Sequence, residues 1–514
     1  MNRRRLLKLG AAGLGVAAAR PSLGFVPAHN WAGYDWGTAP PVADRLDQGP
    51  FPQYAPEEVL PGSEVVMATT PSRDVVPNFG MGLVTYVTGD FGGGTFRGLD
   101  MEREIEAFAA LPLGQKLYVR PTWRELQKTP GRLNPDPYWR ATLAMAKQYG
   151  KRVGFRVMMS NPDIEEPSLP DFVLEKVPMV QLRGGEWKRG THPPEYFEPR
   201  YDHPNFQDAF RDLNALLAAE FDGSPLVEYV DTFMYGFWGE GHTWPFTDNP
   251  FPDSETAERT LVKMMDVQLE HWKRTPLATN TQPDWSRVGN SELVDRTIRS
   301  HNWLRTDTIF IENEQIEAIS NRPPWVAGVV EVGMSDGSAE SLELDEGIPY
   351  TDNVIAHVMD VGANYWSLWN WHAERAANVA SYYEKYPDMI DTIARRVGYR
   401  VRPSFIWRYE GRGENGLVIG FANDGIAGVP GVLRVEVRSA EGRLLVGGGL
   451  DPGYPLPGKI RQARFPLPAG TDSKGLRLKA ELEVKGIRYP VRWACRQGLE
   501  PDYSLKLRPT RGLE

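Results

Sequence analysis

Apolar and polar residues alternate along the middle of this chain in a rhythm of strand-like and helix-like segments. Runs rich in β-branched and aromatic residues, which favour strands, occur at 81–87, 116–120, 152–159, 227–235, 275–280, 307–311, 325–330 and 364–369. Segments with helical spacing of apolar residues lie between them, at 101–110, 138–149, 205–221, 256–272 and 291–302. This alternation indicates βαβ units and a parallel sheet. Eight such runs favour a closed (β/α)₈ barrel over an open sheet, and no Gly-x-Gly-x-x-Gly follows the first of them.

The sequence on either side of this rhythm has a different character. From about residue 20 to 75 it is rich in Pro, Gly and aromatic residues, with one strand-like run at 64–70. After residue 400, short alternating strands separated by Gly and Pro turns predict an all-β sandwich. We therefore expect an irregular lead segment at 20–75, the barrel at 76–399 and the sandwich at 400–514.

The connection between the third and fourth predicted strands, residues 161–204, is long and holds many Pro and aromatic residues. A connection of that length on a barrel usually carries local structure and shapes a cleft. We expect a hairpin-like element within it, at 180–187.

The amino terminus has the composition of an export signal. Three arginines at positions 3–5 precede a short apolar segment that ends in Ala17-Ala-Ala19. A charged region, a short apolar region and an Ala-x-Ala site predict a cleavable signal peptide at 1–19, which resembles the bacterial twin-arginine signal. No other long apolar run follows, so we expect a periplasmic or secreted protein that is not held in a membrane after signal removal.

Composition narrows the classes of function. The formal net charge of −9 argues against a nucleic-acid partner. The single cysteine, Cys495, allows neither an intrachain disulfide nor a cysteine-based metal site, and its strand-like surroundings predict a buried structural thiol. Acidic residues are spread out and no His-Glu-x-x-His motif occurs, so we expect neither a metal nor a cofactor. Oligomeric state leaves no signature in the sequence.

Two glutamates terminate strand-like runs of the predicted barrel. Glu240 follows the fourth run in Gly-Phe-Trp-Gly-Glu-Gly-His, and Glu331 follows the seventh. Reacting groups of (β/α)₈ enzymes lie at the carboxyl ends of their strands, so both side chains are expected in one central cavity. Glycosidic bond cleavage commonly uses two such carboxyl groups. The rival interpretation is a structural ion pair with Arg120 or Arg156, and Glu312 and Glu314 compete with Glu331 as the second carboxylate.

An acid/base after strand four and a nucleophile after strand seven resemble the arrangement of the clan A glycoside hydrolases, which include β-galactosidases. The Gly-x-Trp-Gly-Glu-x-His element is similar to that of poorly characterised exported bacterial glycosidase-like proteins. The resemblance implies a retaining reaction with Glu240 as acid/base and Glu331 as nucleophile. It also implies a tryptophan beneath the sugar at the cleaved bond, for which Trp369 and Trp371 are candidates.

Further residues are expected to bind the substrate or adjust the two carboxyl groups. Arg120 closes strand two and is expected to hydrogen-bond the strand-seven carboxylate, with a structural ion pair as the rival role. Clan A enzymes often have Asn before the acid/base residue, whereas this chain has glycine there, so His242 or Asn280 is a candidate for contacting the sugar. Trp238 and Trp244 are expected to exclude water from Glu240 and to raise its pKa.

The sequence therefore predicts an exported retaining glycoside hydrolase that acts on a plant or microbial oligosaccharide or polysaccharide. Two alternatives remain: a non-catalytic carbohydrate-binding barrel, and another carbohydrate-active enzyme, either an inverting hydrolase or a lyase. The sugar, the linkage and the choice between exo and endo action are not encoded in any motif.

Overall fold

The fold is known from a computed structural model that describes residues 38–51, 64–87, 100–164, 166–185, 196–281, 290–306, 313–331, 350–368, 375–411 and 413–508. The segment expected to be a signal peptide, 1–19, lies outside this set. Among the described residues, no helix has both the length and the apolar composition needed to cross a membrane.

The described strands are numbered in chain order. They are β1 (Asp47–Gln48), β2 (Glu64–Ala68), β3 (Gly82–Tyr86), β4 (Lys116–Val119), β5 (Arg152–Phe155), β6 (Met179–Leu182), β7 (Tyr196–Pro199), β8 (Val227–Asp231), β9 (Leu277–Asn280), β10 (Trp303–Thr306), β11 (Gly328–Val330), β12 (Tyr365–Leu368), β13 (Val401–Gly411), β14 (Glu414–Asn423), β15 (Val432–Arg438), β16 (Leu444–Gly449), β17 (Ile460–Pro466), β18 (Arg477–Val484), β19 (Ile487–Val491) and β20 (Leu505–Lys506).

The described helices are α1 (Met101–Ala110), α2 (Trp123–Leu126), α3 (Pro137–Gln148), α4 (Asp171–Leu174), α5 (Pro204–Phe221), α6 (Ser254–His271), α7 (Asn290–Arg299), α8 (Asn313–Ser320), α9 (Tyr350–Asp360), α10 (Ala376–Lys385) and α11 (Pro387–Ala394).

Eight parallel strands close into a barrel in the order β10, β11, β12, β3, β4, β5, β8, β9. Because each strand pairs with its neighbours in the sequence, the order is that of a (β/α)₈ barrel, and the predicted fold class is confirmed. Helices cover the outside, and every residue of β3, β4 and β8 is buried. Burial on both faces explains the nearly continuous apolar run of β3, whereas the buried charges of β4 and β8, Lys116, Glu228 and Asp231, have hydrogen-bonding or ion-pair partners inside the barrel.

The sixth barrel strand begins earlier than the run predicted at 307–311. Its described part is Trp303–Thr306, and the helix before it ends at Arg299. Residues 307–311 lie outside the described part of the chain. The sequence favoured them because Thr-Ile-Phe-Ile is more apolar than Trp-Leu-Arg-Thr, yet Arg305 is buried inside the barrel against carboxylates.

The carboxyl-terminal strands form two antiparallel sheets, as the predicted sandwich requires. One sheet has the order β16, β15, β18, β19, with β20 paired to β18. The other has the order β1, β17, β14, β13, β2. The lead segment therefore supplies two edge strands to this second sheet, and its predicted strand at 64–70 is confirmed as β2. Cys495 is buried, as predicted, and burial raises the pKa of its thiol.

The sandwich packs against the amino-terminal end of the barrel. Phe79, just before β3, stacks on Tyr489 of β19 at a centroid distance of 3.6 Å, and the Arg152 guanidinium lies over both rings. Beside them the buried Glu228 carboxylate accepts hydrogen bonds from Gly80 N (2.9 Å) and from the Tyr365 hydroxyl (2.7 Å). This end of the barrel is closed, which leaves the carboxyl end for chemistry.

The connection between β5 and α5, residues 156–203, is called here the third-strand insertion. It contains α4 and the antiparallel pair β6 and β7. The predicted hairpin-like element begins correctly with β6, but the described partner of β6 is β7, not the residues just after Gly185. Residues 186–195, between the two, are outside the described chain.

Candidate active site

The structure brings Glu240 and Glu331 together at the carboxyl end of the barrel. Glu240 lies on the loop after β8, Glu331 directly follows β11, and their exposed fractions are only 4% and 2%. Arg120, at the end of β4, lies between them: its Nη1 is 2.8 Å from Glu240 Oε1 and 4.0 Å from Glu331 Oε1. Those two oxygens are therefore at most about 7 Å apart, a bound that includes the ~5–5.5 Å carboxyl spacing of retaining glycosidases.

Arg120 does not make the contact that the sequence analysis expected. It donates its hydrogen bond to the strand-four carboxylate of Glu240 and is only within ion-pair distance of the strand-seven carboxylate of Glu331. Its guanidinium also lies over the Tyr86 ring, 5.2 Å from the centroid. Arg120 therefore lies within ion-pair distance of both carboxylates.

Glycines shape the loop that carries Glu240. Gly236, Gly239 and Gly241 have φ of +75°, +73° and +87°, a left-handed conformation that glycine adopts without steric cost. A Cβ at Gly236 would lie 2.1 Å from the carbonyl oxygen of His242, so no other residue fits there. Trp238 has φ of +51° without being glycine, and such backbone strain is concentrated at functional sites. The Gly-x-Trp-Gly-Glu-Gly-His motif thus encodes a compact turn that holds Glu240 at the carboxyl end of the barrel.

Three side chains bind the Glu240 carboxylate. Arg120 Nη1 and Arg156 Nη2 contact Oε1 at 2.8 and 2.6 Å, and His242 Nε2 lies 3.3 Å from Oε2. Burial alone raises the pKa of Glu240, but the charge of Arg156, the His242 hydrogen bond and the charge of Arg120 together hold that pKa well below its usual range.

The expectation that Trp238 and Trp244 raise the pKa of Glu240 is therefore wrong. Trp244 is 52% exposed, and Trp238 directs its indole Nε1 to Asp163 Oδ2, 3.0 Å away. The guanidinium of Arg156 reaches the carboxylate from just after β5, and together with Arg120 and His242 it outweighs the effect of burial on the pKa of Glu240.

His242 and Asn280 position Glu240. The backbone N–H of Trp244 donates to His242 Nδ1 (3.2 Å), so in the neutral ring the proton is on Nε2 and is donated to Glu240. The Asn280 amide Nδ2, at the end of β9, donates to the backbone carbonyl of Glu240 (3.0 Å). Both residues, candidates for contacting a sugar hydroxyl, therefore hold the side chain and the main chain of Glu240.

Beneath the two glutamates lies a buried array of alternating charges. Arg305 Nη2 contacts Glu331 Oε2 and lies 2.9 Å from the Tyr86 hydroxyl, while its Nη1 is 3.2 Å from Asp231 Oδ2. The Tyr118 hydroxyl also donates to Asp231. Burial raises the pKa of Tyr86 to about 12, so its hydroxyl stays protonated. Alternating charges offset the desolvation of each other, as a buried carboxylate requires.

Three residues of this region were missed by the sequence analysis. Arg305 was missed because the predicted sixth strand did not include it, and Asp231 because it lies inside the strand-like run of β8. Glu198 was missed although it alternates with the buried Tyr196 in β7, a spacing that directs both side chains to one face.

The structure does not describe the side chains of several residues that the sequence analysis proposed for the site. Trp369, Trp371 and Glu312 lie outside the described residues, and the side chain of Glu314, near the start of α8, is not described either. Within the described ranges, no cluster of three His, Cys, Asp or Glu side chains has the arrangement of a metal site.

Comparisons with known proteins give only distant similarities. No protein-family model matches the chain, and no curated protein matches it. Among solved structures, exo-β-1,4-mannosidase Op5Man5 from Opitutaceae bacterium strain TAV5 has 10% identity and a TM-score of 0.38, over 56% of this chain and 52% of that one. This chain thus matches about half of the length of the mannosidase.

Two further solved structures show the same level of similarity. Endo-glycoceramidase II from Rhodococcus sp., as its lactosyl-enzyme intermediate, has 13% identity and a TM-score of 0.35, over 76% of this chain and 97% of that one. The β-galactosidase from the psychrophilic Marinomonas ef1 has 12% identity and a TM-score of 0.37, over 61% of this chain and 59% of that one. Similarities this weak do not decide the chemistry of this chain, which is inferred from its own residues.

Proposed function

We propose that this chain is a retaining glycoside hydrolase that acts on an oligosaccharide or polysaccharide. The observation that carries the proposal is the pair of buried glutamates, Glu240 and Glu331, that meet across Arg120 at the carboxyl end of a (β/α)₈ barrel. Glycoside cleavage needs one carboxyl group to protonate the leaving oxygen and a second, across the sugar, to attack the anomeric carbon.

Glu331 is proposed as the nucleophile. It follows strand seven directly, and the Arg305 guanidinium contacts its Oε2, a contact that favours the ionised carboxylate. Attack on the anomeric carbon breaks the glycosidic bond and leaves the sugar esterified to Glu331. Water then hydrolyses this ester with the help of the acid/base residue, which restores the original anomeric configuration.

Glu240 is proposed as the acid/base. Its Oε1 is occupied by two guanidinium groups, so Oε2, the oxygen that faces His242, is the one that exchanges a proton with the leaving oxygen. Because these arginines lower the pKa of Glu240, its protonated form, which acts as the acid, becomes abundant only at acid pH. Activity is therefore expected to increase as the pH falls toward the pKa of Glu240.

The remaining assignments concern the substrate and the location. Trp369 or Trp371, which follow β12, are proposed to stack beneath the sugar at the cleaved bond, and the half-exposed Trp244 to contact the leaving-group side. The arginine-rich segment 1–19 supports export to the periplasm or the medium.

The test is a panel of oligosaccharides and 4-nitrophenyl glycosides, incubated with the wild type and with the variants Glu240→Gln and Glu331→Gln. The anomer that forms first is identified by proton NMR. We expect turnover with retention by the wild type, a large loss in Glu331→Gln on every substrate, and a large loss in Glu240→Gln on the oligosaccharides. Full activity in both variants would refute the proposal, binding without turnover would indicate a carbohydrate-binding barrel, and inversion or unsaturated products would indicate another enzyme class.

A matched control separates loss of chemistry from loss of structure. Tyr365→Phe removes a buried hydrogen bond to Glu228 at the closed end of the barrel, far along the strands from the glutamate pair. Its stability is expected to fall, while its turnover number stays near that of the wild type. The decrease in the two glutamine variants must exceed the change in this control.

A further inference from the structure

A further buried carboxyl group lies beside the site, on the third-strand insertion. Glu198 of β7 has an exposed fraction of 0%, and its carboxyl group accepts hydrogen bonds from the Ser160 hydroxyl and from the Tyr201 hydroxyl, the latter at 2.7 Å. None of the roles assigned above uses this group. A fully buried carboxyl group is unfavourable unless it is hydrogen-bonded, so its position calls for an explanation.

Both partners of Glu198 also bind the loop that carries Glu240. The Tyr201 hydroxyl accepts a hydrogen bond from Gly236 N (3.0 Å), and the Ser160 carbonyl accepts one from Trp238 N (2.9 Å). Two residues further on, this loop presents Glu240. Glu198 is therefore connected to the loop in two ways: through Tyr201 to Gly236 and through Ser160 to Trp238, the residues on either side of Phe237.

We infer that Glu198 is a positioning residue, which fixes the loop Gly236–His242 through Ser160 and Tyr201 and so keeps Glu240 in place for proton transfer. This inference rests on the proposed glycosidase function for its kinetic consequence, but its structural content is independent of it. The loop needs such support because it contains three left-handed glycines and a left-handed tryptophan. Displacement of a reacting group by about 1 Å is enough to lower a rate about a hundredfold.

The protonation state of Glu198 determines which variant is conservative. Burial raises the pKa of Glu198 to about 7, opposed by the hydrogen bonds from Ser160 and Tyr201 and by His242. The titratable groups that face it are Tyr196, Tyr201 and His242. At mildly acid pH the carboxyl group is therefore mostly neutral, and glutamine is a close substitute in shape, charge and hydrogen bonding.

The experiment compares Glu198→Gln, Glu198→Ala and Tyr201→Phe at mildly acid pH, with the glycoside that the wild type hydrolyses best. We expect kcat of Glu198→Gln within about threefold of the wild type, whereas Glu198→Ala and Tyr201→Phe lose about ten- to a hundredfold in kcat with little change in KM. Rescue by glutamine and the confinement of the effect to kcat are readouts that a merely stabilising role would not produce.

Tyr365→Phe is the matched control for Tyr201→Phe. Both hydroxyls are buried and donate at 2.7 Å to a buried glutamate, but Tyr365 serves Glu228 at the opposite end of the barrel. If Tyr365→Phe lowers kcat as much as Tyr201→Phe, or if Glu198→Ala keeps kcat within threefold, the inference is overturned.

A crystal structure separates this inference from the proposed function. In Glu198→Ala, or in Tyr201→Phe if the alanine variant does not fold, we expect the loop Gly236–His242 to be displaced while the barrel strands keep their positions. An unchanged loop would overturn the inference even if the wild type is a glycosidase. If the wild type hydrolyses no glycoside but the loop moves, the proposed function fails and the positioning role of Glu198 stands.

Discussion

Replacement of Arg156 by methionine is a sharp test of the role of Glu240. Arg156 Nη2 lies 2.6 Å from Glu240 Oε1, and its Nη1 lies 3.8 Å from Asp231 Oδ2. Methionine keeps part of the aliphatic stem and removes the charge. Glu240 then retains Arg120 and His242 as partners, so the carboxylate remains hydrogen-bonded although the charge of Arg156, which lowers its pKa, is gone.

The size of the effect follows from the contact that is lost. A hydrogen bond between charged groups contributes about 1.5–3 kcal/mol, and about 1.4 kcal/mol corresponds to a tenfold change in a protonation equilibrium. Loss of the Arg156 contact should therefore move the basic limb of the kcat/KM profile upward by about one to two pH units. The direction is fixed because Arg156 stabilises the ionised form of Glu240, which is inactive as an acid.

The assay is kcat/KM over the acid and neutral range for the wild type, Arg156→Met and Arg156→Lys. The lysine variant disturbs the packing in a similar way but keeps a positive charge, so its basic limb should stay close to that of the wild type. Breaking a buried ion pair costs about 3–5 kcal/mol, so all rates are measured well below the lowest Tm. An unmoved limb in Arg156→Met would show that Glu240 does not supply the proton.

Three further variants test other parts of the structure. Glu331→Gln should lower kcat about 10⁴-fold or more with every leaving group. Loss of an acid alone would leave the hydrolysis of activated aryl glycosides nearly intact, so retained activity on those substrates in Glu331→Gln would contradict its assignment as nucleophile. Because the folded-state pKa of Glu198 is raised from 4.5 to about 7, the folded protein binds this proton more tightly and loses about 3 kcal/mol of stability as the pH rises through that window. The Tm of Glu198→Gln should therefore rise relative to the wild type between pH 4.5 and 8, and a constant difference would refute the buried neutral carboxyl. Lys116→Met removes the ammonium 2.9 Å from the buried Glu228, and should lower the Tm strongly without changing kcat.

The barrel was predictable where its strands are continuous apolar runs. The predicted runs for seven of the eight barrel strands contain or overlap the observed ones, since strands buried on both faces keep little polar signal. The described part of the sixth, Trp303–Thr306, was not predicted because Arg305 breaks its apolar pattern. Burial of Arg305 is compensated by Asp231 and Glu331, which come from other strands and could not be matched to it from the sequence. Strands β1 and β17 pair through Asp47 and Arg464, which are far apart in the chain, so no local sequence pattern could predict this pairing.

The candidate site was predictable only in part, for a related reason. The position of β8 and the end of β11 could be read from the sequence, although β8 ends at Asp231 and not at residue 235. The meeting of Glu240 and Glu331 then followed from barrel geometry. Which arginine contacts which carboxylate depends on side-chain directions across the barrel, and the expected partner of Arg120 was wrong. The sign of the pKa change at Glu240 was wrong because Arg156, which was available in the sequence, was not expected at 2.6 Å.

The most direct test of the two-glutamate account is to trap the intermediate that it requires. A 2-deoxy-2-fluoro glycoside of the accepted sugar, with a good leaving group, slows hydrolysis of a glycosyl ester more than its formation, so the labelled protein accumulates. Intact mass and peptide mapping then locate the sugar. The account predicts one sugar per chain, on Glu331. A label on Glu240, or hydrolysis with inversion and no label, would contradict it.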